Sequence, residues 1–265
     1  MKKSVQIIIA CLICILSVSC GTKPVQLFNG ENLDNWEKHL GTSLGSDFEE
    51  LAAAATVDKV FSVALLNGEK VIRISGEING ALTTRDHYEN YHMQLVFKWG
   101  EKVYSSRNSG LLYHSFGSYG AGFGTWMASI ECQMKHGNLG DTYLMGQTTC
   151  ESRAQRDGNN YFFNPGAGIV AFGEHANGRM INKQQNAEKN LGEWNTLDLY
   201  CYGQTAVHVV NGITVMVNEN TGSFSNGAVQ PLKGGKVQIQ SEGGELFIKS
   251  VTVEPISKIP SEVMK

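Results

Sequence analysis

Val209-Val210-Asn211-Gly212-Ile213-Thr214 sets Asn-Gly between two β-branched runs. A type I′ turn needs φ > 0 at both central residues, which Asn and Gly tolerate. The hexapeptide therefore reads as a two-residue hairpin joining strands over Ala206–Val210 and Ile213–Val217. Outward from it the chain repeats one pattern, short runs of period-two alternation closed by Gly or Asn. Val71–Ser75, His92–Trp99, Ser109–His114, Met127–Lys135, Gly168–Gly173, Asn195–Tyr202, Lys236–Gln240 and Glu245–Glu254 all read as strands. Ser46 to Thr56 is the one helical stretch, with Ser46/Glu49 or Asp47/Glu50 as capping boxes. Helices this scarce disfavour a parallel α/β sheet and leave an all-β sandwich or barrel. Gln147 to Gly166, long and polar, reads as a loop.

Composition agrees. The 265 residues are 42% hydrophobic and 18% charged with a net charge of −3, which excludes a disordered, collagenous or multi-span membrane chain. No cluster of Lys and Arg exists to neutralise phosphates, so nucleic acid is excluded as the main partner. Lys2 and Lys3 precede the apolar run Ile7 to Val18, which ends in small residues before Cys20. A helix of about 12 residues is about 18 Å long, short of a hydrocarbon core of about 30 Å. Residues 1–19 thus read as a lipoprotein signal peptide, with Cys20 as the lipidated N-terminus and 20–26 as a tether. The expected location is the bacterial cell envelope, lipid-anchored. The absence of an acidic run in Gly21-Thr22-Lys23-Pro24 favours the periplasmic side. A single domain over 27–256 and a tail over 257–265 complete the division. Cys132, Cys150 and Cys201 allow one disulfide plus a free thiol, and no CxxC or HExxH follows Cys20.

Chemistry concentrates on one strand. In Ser129-Ile130-Glu131-Cys132-Gln133-Met134-Lys135-His136, alternation puts Ile130, Cys132 and Met134 on one face. Glu131, Gln133 and Lys135 share the other. An apolar face belongs in the core; a carboxylate, an amide and an ammonium in a row are either a solvated surface or a functional ladder.

Several segments together resemble the 3-keto-disaccharide hydrolase family, formerly a domain of unknown function and common in Bacteroidetes lipoproteins. They are Leu27-Phe28-Asn29-Gly30-Glu31-Asn32-Leu33-Asp34-Asn35-Trp36, Gly80-Ala81-Leu82-Thr83-Thr84 and Asn108-Ser109-Gly110-Leu111-Leu112-Tyr113-His114. Ile130-Glu131-Cys132-Gln133, Gly192-Glu193-Trp194-Asn195-Thr196, Val210-Asn211-Gly212 and Val237-Gln238-Ile239-Gln240-Ser241-Glu242-Gly243 follow in order. The chain departs from the family at His114, where Arg is frequent, and in an insertion between Leu40 and Val60. The resemblance implies a concanavalin A-like jelly roll of two curved antiparallel sheets, one concave and open to ligand. It also implies an oligosaccharide or glycoside substrate oxidised at C3.

A 3-keto group acidifies the C2 hydrogen, so one base can remove it, the enolate can expel the C1 substituent, and water can add to the enone. On that route Glu131 or His136 is the base, Lys135 or Arg107 the enolate stabiliser, and His114 the acid. Asn108, Ser109, Gln133, Asp141, Trp126, Gln240 and Glu242 are substrate-binding candidates, and Tyr119, Phe123 and Trp126 suit an aromatic wall. Two alternatives stand beside it. One is an ordinary glycoside hydrolase whose second carboxylate comes from Asp141 or Glu242. The other is a non-catalytic carbohydrate-binding lipoprotein. A divalent cation such as Ca²⁺, held near His136, Asn138 and Asp141, is an expectation the fold class allows.

Overall fold

The Asn-Gly hairpin forms: φ is 50° at Asn211 and 83° at Gly212, and Val210 faces Ile213 across it. The computed structural model describes residues 23–264, so the signal peptide and Cys20 lie outside the described residues. Two antiparallel sheets pack face to face as a jelly roll. The larger runs, in spatial order, Asn160–Phe163, Thr148–Asp157, Ile213–Ser225, Thr205–Val210, Asn195–Tyr202, Tyr91–Val103, Gly244–Pro255, Glu69–Ile74, Phe61–Leu66. The smaller runs Met180–Ile181, Thr142–Met145, Ala128–Gln133, Gly110–Phe116, Gly234–Ser241, Gly80–Thr84, Trp36–Leu40. Alternation explains the packing. Leu95, Phe97, Leu197, Leu199 and Ile248 of one sheet meet Leu111, Tyr113, Ile130, Cys132, Val237 and Ile239 of the other in one buried core. The outer face of the smaller sheet is left to carry side chains of a different kind.

Three readings are corrected. The helical stretch is broken into a 3₁₀ turn at Ser46–Phe48 and short helices at Glu49–Ala53 and Val57–Val60. Neither capping box forms, and the Glu49 carboxylate instead accepts the Ser43 hydroxyl at 2.6 Å. Gln147 to Gly166 is two strands, Thr148–Asp157 and Asn160–Phe163. Its inward positions are Thr148, Cys150, Ser152 and Ala154, too small and polar to register as an apolar alternation. Their hydroxyls are satisfied inside, Ser152 Oγ on Val217 O at 2.7 Å and Thr148 Oγ1 on Ser129 O at 3.0 Å. Finally, Cys132, Cys150 and Cys201 are all free and buried, so no disulfide joins them.

A polar cluster crosses the core. His208 Nδ1 lies 3.0 Å from Gly140 O and must donate to it, which leaves Nε2 to accept from the Tyr113 hydroxyl at 3.1 Å. Burial lowers the His208 pKa to about 4, so the ring is neutral at pH 7. Tyr113 Oη in turn accepts Asn218 Nδ2 at 3.1 Å. Tyr113→Phe would strip both neighbours of a partner without opening a large cavity. The expected loss is about 1–3 kcal/mol in urea unfolding; an unchanged midpoint would show that the cluster contributes nothing net.

Candidate active site

Register across the smaller sheet assembles the site. On its outer face one row reads Thr83, Gln238, Leu112, Glu131, Tyr143, Met180, each paired with the next across adjacent strands. One step along the strands toward Lys135, Gln240 pairs with Ala81 and Gly110 with Gln133, whose N–H donates to Asp141 O at 2.9 Å. One step the other way, Met145 pairs with Ser129. Glu131 therefore stands between Gln133 on one side along its strand and Ser129 on the other. A cavity of about 450 Å³ opens above it, within the range of small-molecule sites. Its lining combines the polar side chains of Asn108, Gln133, Lys135, Asn138, Gln240 and Glu242 with Phe123, Trp126, Tyr143, Met145 and Met180.

Glycine makes the convergence at Glu131 feasible. A Cβ on Gly110 would collide with Glu131 Oε1 and Gln240 Oε1, so both side chains lean over the bare backbone there. Glu131 Oε1, both polar atoms of the Gln240 amide and Asn108 Oδ1 are buried without a hydrogen-bond partner. Unpaired buried polar atoms are costly, and four in one cavity mark a place shaped for a polar ligand.

The two carboxyl groups differ. Burial, and then the charges of Glu242 and Asp141, hold the Glu131 carboxyl well above the usual range, which favours its protonated form. Burial pushes Glu242 up to about 7, with Lys135 and a hydrogen bond from Asn108 pulling against it. One site thus holds a deeply buried carboxyl group beside a second one that ionises near neutrality.

Of the residues chosen from sequence, Glu131, Gln133, Lys135, Asn108, Asp141, Trp126, Gln240 and Glu242 line this cavity. Arg107, Ser109, His114 and His136 do not. His136 is half-exposed, with Nδ1 2.9 Å from Glu188 Oε1, which turns it from the base position. His114 is fully buried at φ 51°, with both ring nitrogens unpartnered and its pKa lowered by burial to about 4, so it has no path to a leaving group. Ser109 Oγ is used up on Gln240 O at 2.8 Å, tying two strands. Arg107 offers its backbone carbonyl to His136 N at 3.0 Å while its buried Nε has no partner.

Asp141, though at the cavity wall, is committed. Its Oδ1 accepts Lys183 N at 2.9 Å and faces Lys183 Nζ at 3.3 Å, and its Oδ2 accepts Asn138 Nδ2 at 2.8 Å. A Ca²⁺ ion takes roughly six to eight oxygen ligands. Among the described residues no three His, Cys, Asp or Glu side chains gather where they could hold a metal ion. Sequence reasoning missed Asn79, Tyr143, Met145 and Met180 in the lining. The Asn138-Leu139-Gly140 turn was the available signal: carrying the register around it puts Tyr143 beside Glu131.

A family model described as a 3-keto-alpha-glucoside-1,2-lyase-like domain matches residues 23–254. A search of curated proteins finds no match. Among solved structures, a candidate glycosyl hydrolase from Parabacteroides distasonis ATCC 8503 aligns at 17% identity and TM-score 0.51, covering 89% of this chain and 100% of that one. A second candidate glycosyl hydrolase from the same strain aligns at 17% identity and TM-score 0.51, covering 88% of this chain and 94% of that one. At these identities the two structures establish a shared fold.

Proposed function

The chain belongs to the 3-keto-alpha-glucoside-1,2-lyase-like family, and from that premise we propose that it cleaves 3-keto-glycosides by elimination across C1–C2 followed by hydration. What supports the reading is one observation: two carboxyl groups, Glu131 and Glu242, face one cavity, where burial raises the pKa of both, that of Glu242 to about 7. Glu242 as carboxylate removes the C2 proton, which the neighbouring C3 carbonyl has acidified. The electron pair moves onto the C3 oxygen, toward the Lys135 ammonium and the free amide donors of Gln133 and Gln240. Gln133 keeps its N–H₂ available because its Oε1 already accepts Lys135 N at 2.8 Å. As the enolate collapses, the C1–O bond breaks and Glu131 gives its proton to the departing oxygen, which leaves as an alcohol. Glu131, now ionised, takes a proton from the water that adds to C1, and Glu242 returns its proton to C2. Both groups end as they began, and the net reaction is hydrolysis.

These assignments exchange the roles expected of Glu131: a carboxyl this deeply buried suits proton donation better than proton removal.

Incubating the protein with a glycoside and with its C3-oxidised form tests the proposal. Release of the aglycone from the oxidised form alone is the expected result. Its kcat/KM should rise through about pH 7 as Glu242 ionises and fall at higher pH as Glu131 loses its proton. Glu242→Gln should remove the rising limb. Cleavage of the unoxidised glycoside would instead favour ordinary two-carboxylate hydrolysis, which the same pair of acids fits. Binding without cleavage would leave a lectin-like role.

A further inference from the structure

We propose that the leaving group is an apolar alcohol, aryl or arylalkyl, rather than a second sugar. The inference rests on the elimination reading above and names the substrate class of that same site. An acid that protonates the leaving oxygen must sit at the bond that breaks, so Glu131 marks the junction between the sugar and its aglycone. Toward Gly110 and Gly234–Ser241 the cavity offers unpartnered polar atoms on Gln240 and Asn108. Across Glu131 from them, on Thr142–Met145 and Met180–Ile181, stand Tyr143, Met145 and Met180, with Phe123 against Tyr143. Among Phe123, Tyr143, Met145 and Met180 the Tyr143 hydroxyl is the one strong hydrogen-bonding group a ring of hydroxyls would meet. A second sugar would bring several hydroxyls to that single partner, whereas an apolar group would lose nothing on leaving water.

Phe123 is held for contact at this place. It sits at φ 49°, a conformation unfavourable for a bulky L-residue, and the Gly122–Trp126 backbone bonds of 2.8 and 2.9 Å close the loop around it. Its ring meets Tyr143 edge-on at 5.8 Å, with the Arg179 guanidinium 5.5 Å from the centroid. Even so, Phe123 remains 50% exposed and Met180 40% exposed, beside a cavity that no other described residue fills. Methionine and aromatic side chains together make a polarisable, adaptable wall, suited to flat apolar groups.

The test compares a benzyl 3-keto-glucoside with a 3-keto-disaccharide. Benzyl alcohol is the poorer leaving group, so any preference for it comes from binding. The expected kcat/KM favours the benzyl substrate by about tenfold or more, and Phe123→Ser and Met180→Gln each shrink that ratio several-fold. Equal or better turnover of the disaccharide, or variants that lower both substrates alike, would overturn the proposal. Calorimetry with unoxidised benzyl glucoside separates the two readings. If neither keto-sugar is cleaved but benzyl glucoside binds and Phe123→Ser weakens it, the elimination reading fails and the apolar subsite stands. Absence of that binding overturns the subsite itself.

Discussion

Glu131→Gln abolishes turnover of a 3-keto-glycoside, with kcat falling by about 10²–10⁴-fold, the range for losing a positioned general acid. Gln preserves the shape and the hydrogen-bonding of the neutral carboxyl but has no proton to give to the departing oxygen. The fold should not suffer. Glu131 is 2% exposed, and its carboxyl is favoured in the protonated form by the folded state, well above the ordinary value of 4.5. Its contribution to stability is therefore full below the unfolded value and is lost as pH rises toward the folded one. Gln does not titrate. The melting temperature of the variant relative to the parent should accordingly climb as pH rises above the ordinary value of 4.5, while activity stays absent. Retained turnover on the keto-sugar would remove Glu131 from the chemistry. A variant that loses activity only because it unfolds would show instead a lowered melting temperature at every pH.

Much of this arrangement was legible in the sequence because it depends on period-two alternation, which is local. Ile130, Cys132 and Met134 enter the core, and Glu131, Gln133 and Lys135 line the cavity, as their spacing dictates. The Asn211-Gly212 hairpin was equally local. Non-local register was harder to read. Tyr143 and Met180 reach Glu131 only through pairings across strands that the sequence does not announce, and Glu242 meets it from 111 positions away, numbered 131 and 242. The histidines misled for a related reason. His114 lies at the chain position of a rim residue, but the irregularity between Tyr113 and Phe116 in its strand turns it into the interior. His136 follows the active strand directly, yet the Glu188 carboxylate, itself nearly buried, captures it. Side-chain type identified the candidate chemistry, and burial, which alternation alone does not quantify, underlies the proposed choice of acid and base.

Gly110→Ala should silence the site while leaving the sandwich intact, and the two effects can be separated physically. Gly110 lies within Gly110–Phe116, has no left-handed φ, and pairs with Gln133 in an ordinary antiparallel ladder, so alanine suits its backbone. Replacing glycine there also removes freedom from the unfolded chain, a modest stabilising term. Opposed to it is the crowding of the new methyl group against Glu131 Oε1 and Gln240 Oε1, with Glu131 Cδ at 2.8 Å. These atoms end flexible side chains, so they swing aside where backbone would not. Gly76 shows the contrast: at φ 82° its added carbon would strike the Gly244 backbone, and the fold itself would bear the cost. For Gly110→Ala the melting temperature should stay within about 3 °C of the parent. Moving the acid by even about 1 Å from the leaving oxygen should lower kcat/KM by about 10²-fold. A variant as active as the parent would mean that Glu131 and Gln240 need not converge over this glycine, and the placement of the proton donor between sugar and leaving group would have to be abandoned.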